Sequence, residues 1–306
     1  LGLSLPITAG AVISGAFFGD KMSPLSDTTN LAASIANVDL FEHIKDMGWT
    51  TIPAFIITVA LFASLSPAEV QTNIGQLDEF RHALKGTGMV NWYSIIPFMI
   101  LVVLSVKKTP AIIALAVSSV SAIGLSFLHI KEQTLSSLFE VLYSGYMSQT
   151  GNQEIDALLT RGGIESMMFT VSLILLALSM GGLLFKLGII PKLLSQIESK
   201  LNSVGSIITA TAVTCIMINL LTGEQYLSII LTGETYESQF SKAGISNRNL
   251  SRVLEDAGTV VNPLVPWGVC GTFLTNVLGI PTIQYAPFAF FCLLCPLLTI
   301  LYGWTG

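Results

Sequence analysis

Apolar side chains run along this chain in long unbroken blocks, not in the alternation of a half-buried soluble fold. Residues 1–19, 47–68, 86–106, 109–128, 166–185, 201–223 and 257–306 contain no Asp, Glu, Lys or Arg. Each block is long enough, or nearly so, to cross a hydrocarbon core of about 30 Å as a helix. So many such runs predict an all-α polytopic membrane protein and argue against the buried core helices of a soluble one. The blocks predict helices at about 3–18, 49–66, 92–106, 110–129, 164–187, 204–232 and 284–303, with a short half-helix at about 28–38. Polar stretches punctuate them. "GDKMSPLSD" breaks the first helix, making 3–38 one broken element, and "FEHIKDMG" reads as a polar joint. Residues 67–91 and 131–163 read as solvated connections, and "KLGIIPKLLSQIESK" as an amphipathic stretch lying at the interface. "VLEDAGTVVNPLVPWGVCG" opens a second broken segment over 252–278.

Composition supports the membrane assignment. The chain has 306 residues, of which 11% are charged, against about 25% in soluble domains. Lys45, Lys107, Lys108, Lys186, Lys192 and Lys200 sit on short connections, which makes their side the cytoplasmic one of a cell membrane. No basic patch carries interleaved aromatics, so nucleic acid is not a partner. Cys215, Cys270, Cys292 and Cys295 all lie in apolar segments and read as packing thiols. His43, His82 and His129 are too scattered for a structural metal. No phosphate loop, dinucleotide fingerprint, HExxH pair or GxSxG elbow occurs, so neither an enzyme nor a bound cofactor is expected. The chain starts at Leu1 without a charged leader and cleavage site, which excludes a signal peptide and suggests an N-terminally truncated fragment.

The chain also echoes itself. Slid by 239 residues, Gly19 falls on Gly258 and "SPL" at 23–25 on "NPL" at 262–264. At an offset of 234, "TIPAFIITVALF" answers "YAPFAFFCLLCP". In both copies a polar, proline-broken segment precedes an apolar helix. Residues 92–306 then form one whole repeat, residues 1–66 the tail of another, and 67–91 the connection. Repeats of similar length would place roughly 150 residues ahead of Leu1. Broken hydrophobic segments at matching places in two halves point to a transporter's binding site.

Those segments hold the candidate chemistry. Asp20 and Asp27 are joined by Ser23, Ser26, Thr28, Thr29 and Asn30 around the helix breaker Pro24. The second segment supplies Glu255, Asp256, Thr259 and Asn262 around Pro263 and Pro266. Glu224, beside Gly223, is the only charge between Lys200 and Glu234. Carboxylate, hydroxyl and freed carbonyl oxygens suit a small hard cation, and the same carboxylates can take a proton. The alternative is ordinary turn and cap chemistry at the membrane surface. Lys21 is a counter-ion to these acids, an anchor for an anionic substrate, or a side chain reaching for water.

"SGAFFGDKMSPLSDTTNLA" closely resembles the signature of the NhaC-type Na+/H+ antiporters, whose relatives include the malate–Na+/lactate–H+ antiporters. "TGEQYLSIILTG" and "LEDAGTVVNPLVPWGVCGTF" resemble further family segments in the same order, so the resemblance covers essentially the whole chain. It implies a secondary transporter of the ion-transporter type, with inverted repeats and ion binding at discontinuous helices. It also implies a family whose full-length members are longer at the N-terminus. By resemblance, Asp20, Ser23, Asp27, Thr28 and Asn30 match the first signature, and Glu255, Asp256, Thr259 and Pro263 the second. Asn262 and the pair Gly268–Val269 depart from the family pattern, which keeps a different cargo open. The expectation is Na+ (or Li+) exchanged for H+, with these ions and the lipid bilayer as partners and room for a homo-oligomer. Asp20, Asp27 and Asp256 would share the ion. The alternatives are Na+-coupled organic-anion or amino-acid exchange, and a non-transporting membrane subunit.

Overall fold

The computed structural model describes residues 4–66, 81–86, 91–107, 109–129, 134–160, 162–190, 192 and 203–305. Its helices, in chain order, begin with α1 (Leu5–Lys21), α2 (Asp27–Ile35) and α3 (Leu40–Leu65). Then come α4 (Ile96–Val106), α5 (Ala111–His129), α6 (Leu135–Ser144), α7 (Gln153–Leu159) and α8 (Ile164–Lys186). The last group is α9 (Val204–Thr222), α10 (Gln225–Lys242), α11 (Asn247–Leu254), α12 (Val269–Leu278), α13 (Thr282–Tyr285) and α14 (Phe290–Thr305). Among the described residues α3, α8 and α9 are long and apolar enough to cross a membrane. The segment 282–305, bent by 56° near Ala289, makes a fourth span if counted as one.

The chain divides into two compact units, Glu69–Ser172 and Leu3–Ala68 with Leu173–Gly306. In the first, α4 and α5 form a helical hairpin, with the Ser118 hydroxyl donating to the Pro97 carbonyl at 2.7 Å. Between α6 and α7, Asp156 accepts from the Thr150 N–H at 2.7 Å and from the Ser148 and Thr150 hydroxyls, both at 2.8 Å. These bonds hold its carboxyl below the usual range.

The second unit carries the broken segments. Pro6 opens α1, and Pro24 blocks a continuous run into α2, because a proline inside a helix lacks the N–H its turn requires. Ser26 caps α2 by accepting from the Thr29 N–H at 3.4 Å. Asp39 caps α3 by accepting from the N–H groups of Phe41 and Glu42. One face of α3 buries His43, Met47, Thr50, Ala54 and Thr58 at helical spacing. Its opposite face exposes Trp49, Ile52, Ile56 and Val59. An exposed apolar face opposite a polar buried stripe is the arrangement expected of a helix in lipid. α1 lies close against the elbow of the bent segment: a Cβ on Gly10 would come within 2.6 Å of the Phe288 backbone.

Two differences from the sequence expectation have local causes. "FEHIKDMG" is no joint but part of the first three turns of α3. Glu42, His43 and Asp46 face α11: Arg248 pairs with Glu42 at 2.6 Å, His43 Nδ1 meets the Ser251 hydroxyl at 2.8 Å, and Arg252 pairs with Asp46 at 3.0 Å. The segment expected over 204–232, with Gly223 as a break in it, is two helices, α9 and α10, divided at that residue, whose φ of 70° is left-handed and suits glycine. The connection 131–163 contains α6 and α7. Most of the 67–91 connection and of the 186–200 stretch lies outside the described residues.

Candidate ion-binding centre

α11 ends at Leu254, and residues Glu255–Thr259 continue as a single π-helical turn. Such turns are rare and gather at functional sites. This one lies between two apolar cores. Leu254 and Ala257 pack with Cys215, Ile229, Tyr236 and Phe240. Val260 packs with Ile13, Ala54, Tyr285 and Phe291. All five residues of the turn are buried. Asn262, Pro263 and Leu264 follow as a short 3-10 turn, and Gly268 leads into α12.

Two acids on this turn reach across to the first break. Lys21, the last residue of α1, and Asp256 are both 0% exposed and form an ion pair. The Thr50 hydroxyl, on α3, donates to Asp256 Oδ1 at 3.2 Å and lies 3.3 Å from Lys21 Nζ. Lys21 also reaches Cys295 Sγ at 3.8 Å and stands 5.9 Å from the centre of the Phe291 ring. Next to this pair, Glu255 Oε1 accepts from the hydroxyls of Thr28 at 3.4 Å and Thr29 at 3.3 Å. Four polar contacts thus join α2, α1 and α3 to one π turn.

Several oxygens of the turn remain unclaimed. Glu255 Oε2, Asp256 Oδ2 and Thr259 Oγ1 are buried and take no hydrogen bond. Each such atom costs about 1–3 kcal/mol unless something compensates it. Among the described residues no three His, Cys, Asp or Glu side chains cluster as a metal would need. A cation held here would take a mixed set of carboxylate and hydroxyl oxygens, suited to a hard ion of low charge.

The other expected residues separate by role. Ser23 Oγ accepts from the Leu25 N–H, and Asn30 donates to the carbonyls of Pro24 and Ser26, so both residues hold the shape of the first break. The Ser26 hydroxyl lies 3.1 Å from that of Thr28. Asp20 is half-buried and within electrostatic range of Glu255. Asp27 does not join Asp256: it is exposed on the first turn of α2 and accepts the Tyr226 hydroxyl. Glu224 is buried and caps α10 through the Leu227 N–H at 3.0 Å. Pro263 is buried within the 3-10 turn, and its carbonyl accepts the Tyr285 hydroxyl at 2.8 Å. Pro266 is exposed beyond that turn. Lys21 does not reach for water.

Four participants escaped the sequence expectation. Thr50 and Cys295 line the ion pair, and Tyr226 holds Asp27. Asn219 is the fourth. Its Nδ2 donates to the Gly258 carbonyl at 2.5 Å, and its Oδ1 accepts from Asn262 Nδ2 at 2.6 Å. Asn262 in turn donates to the Gly223 carbonyl at 3.2 Å and accepts from the Cys270 N–H at 2.8 Å. The amide pair thereby satisfies backbone groups at both breaks near it. An uncharged polar residue inside an apolar run was the available signal for Thr50 and Asn219.

The model of the Na+/H+ antiporter family matches residues 15–306. The chain is 43% identical to the Na(+)/H(+) antiporter NhaC of Alkalihalophilus pseudofirmus, over 100% of this chain and 66% of that protein. It is 41% identical to the Na(+)/H(+) antiporter NhaC of Bacillus subtilis, over 99% of this chain and 67% of the relative. It is also 32% identical to the malate-2H(+)/Na(+)-lactate antiporter of Bacillus subtilis, over 100% and 66%. The chain therefore spans about two thirds of the length of these relatives, which are antiporters and not enzymes. No solved structure matches it.

Proposed function

Since this chain belongs to the Na+/H+ antiporter family and is a multi-pass membrane protein, we propose that it carries the ion-binding centre of a secondary transporter exchanging Na+, or Li+, for H+. The observation that carries this reading is the buried Lys21–Asp256 pair beside the unclaimed oxygens of Glu255, Asp256 and Thr259. A buried carboxylate needs a compensating charge. The Lys21 ammonium offers Asp256 the same single positive charge that Na+ brings, so the two compete for it. Na+ arriving at Asp256 displaces Lys21 and gains the Thr259 hydroxyl and the free Glu255 oxygen. Glu255, held by Thr28 and Thr29, is the base that carries the proton when Na+ is absent. One centre then holds the cation or the proton in alternation, which is what exchange requires.

The architecture that fits this chemistry is a pair of inverted repeats, with residues 1–66 as the tail of one and 92–306 as the other. It is supported by matched interruptions: α1 gives way to α2 across Met22–Ser26, and α11 gives way to the π and 3-10 turns. The two breaks meet at Lys21 and Asp256, which a transporter folded around a central site would need.

Everted vesicles holding the full-length protein test the function. A Na+ or Li+ pulse should dissipate an acid-inside gradient, and Asp256→Asn should remove the response. No response of the wild type to either ion would overturn the proposal. A second reading, Na+-coupled exchange of an organic anion, is suggested by the malate–lactate relative. It needs a cationic anchor, and Lys21 is wholly buried on Asp256, which favours the first reading. Malate-dependent Na+ uptake that vanishes in Lys21→Ala would favour the second.

A further inference from the structure

Glu224 is not satisfied by the centre just described. It lies at the break between α9 and α10 and is 1% exposed. Its Oε2 accepts the Leu227 N–H, while its Oε1 is buried and has no hydrogen-bond partner. The N–H groups of Tyr226 and Gln225 also approach its carboxylate, and a second acid, Asp27, lies within electrostatic range of it. Asp27 takes the hydroxyl of Tyr226, two residues beyond Glu224 on α10. Cys270, at the start of α12, lies within electrostatic range of Glu224, Asp27 and Asp20, and its thiol is 3.7 Å from Gln225 Oε1. The Tyr226–Asp27 and Cys270–Gln225 contacts therefore bring α2, α10 and the start of α12 together here. No ion pair joins Glu224, Asp27 or Asp20 to a Lys or Arg among the described residues.

We propose that Glu224 and Asp27 form a second station for a hard monovalent cation, separate from the Lys21–Asp256 centre and on its route from solvent. Glu224 Oε1, the Asp27 carboxylate, the Tyr226 oxygen and the Gln225 amide oxygen supply only oxygen ligands, as such an ion prefers. Exposure falls from Asp27, which is exposed, through half-buried Asp20 to fully buried Glu255. A cation held between exposed Asp27 and buried Glu224 then passes Asp20 to reach Glu255. This inference rests on the exchange reading for its place on a route, but the station itself is a binding property and can be tested without transport.

The test uses purified full-length protein and NaCl, with choline chloride as the ionic-strength control, read by thermal unfolding. A ligand bound only by the folded state raises Tm. Asp256→Asn disables the inner centre, and Na+ should still raise its Tm. Adding Glu224→Gln, which keeps an oxygen for the Leu227 cap, should weaken that response at least about tenfold in Na+ affinity. If Asp256→Asn alone removes every Na+-specific shift, or if Glu224→Gln leaves the shift intact, the station does not exist. If wild-type vesicles show no exchange while the Glu224-dependent shift persists, the exchange reading fails and the station stands.

Discussion

α1 stops at Lys21 and α2 starts at Asp27, across a turn made by Pro24 and closed by Ser23, Ser26 and Asn30. α11 does not stop in this way. It widens into a π turn at Glu255–Thr259 and tightens into a 3-10 turn at Asn262–Leu264. The first break is partly open, with Asp27 exposed and Asp20 half-buried. The second is buried from Glu255 to Pro263, where the Asn219 amide meets the Gly258 carbonyl and the Asn262 oxygen meets the Cys270 N–H beyond it. Proline makes a local break that side chains within six or seven residues can finish. A π turn in an apolar core depends on partners far away in the chain. The first break is therefore the more open of the two and the second the more dependent on distant packing.

The largest test of that contrast is the ion pair joining the two breaks. Lys21→Met or Asp256→Asn leaves an uncompensated buried charge or its lone partner, and each should cost about 3–5 kcal/mol, seen as a lower Tm. The pair Lys21→Met with Asp256→Leu should recover most of that stability and still show no exchange. Equal exchange in the double variant would remove the pair from the ion-binding centre. Next comes Asn219→Ala, which strands Asn262 and the Gly258 carbonyl in a dry interior. It should cost about 1–3 kcal/mol in chemical denaturation. A value near zero would mean that the second break stands without its amide support. The smallest effect is expected at the first break, where Ser26→Ala removes the cap of α2 and the hydroxyl contact with Thr28. About 1 kcal/mol is the usual size. A loss larger than that of Asn219→Ala would reverse the comparison, making the first break the more demanding structure.

Much of the fold follows from one-dimensional pattern. Charge-free runs mark α3, α8 and α9, and Pro24 lies in the turn between α1 and α2. "EDAGT" was recognisable as polar matter inside an apolar run, though its π geometry was not. "FEHIKDMG" misled because hydropathy counts charges without their partners. Glu42, His43 and Asp46 are one and three residues apart, on one side of a helix, and α11 supplies a partner for each. Grouping Asp27 with Asp256 misled for a related reason. Both belong to acidic, broken stretches, but one is exposed and the other wholly buried.

By itself the sequence determined the membrane class and the acids that lie around Pro24 and Pro263. These depend on hydropathy, proline sterics and charge, which act over a few residues. Only the tertiary structure decided what Lys21 is for. It lies 235 residues from Asp256 in the chain and in contact with it in the fold. The same holds for Thr50 beside the pair, for Asn219 beneath the π turn, and for Tyr226 on Asp27. A buried polar group must be satisfied by whatever the folded chain brings within reach, and that proximity is set by how the helices pack.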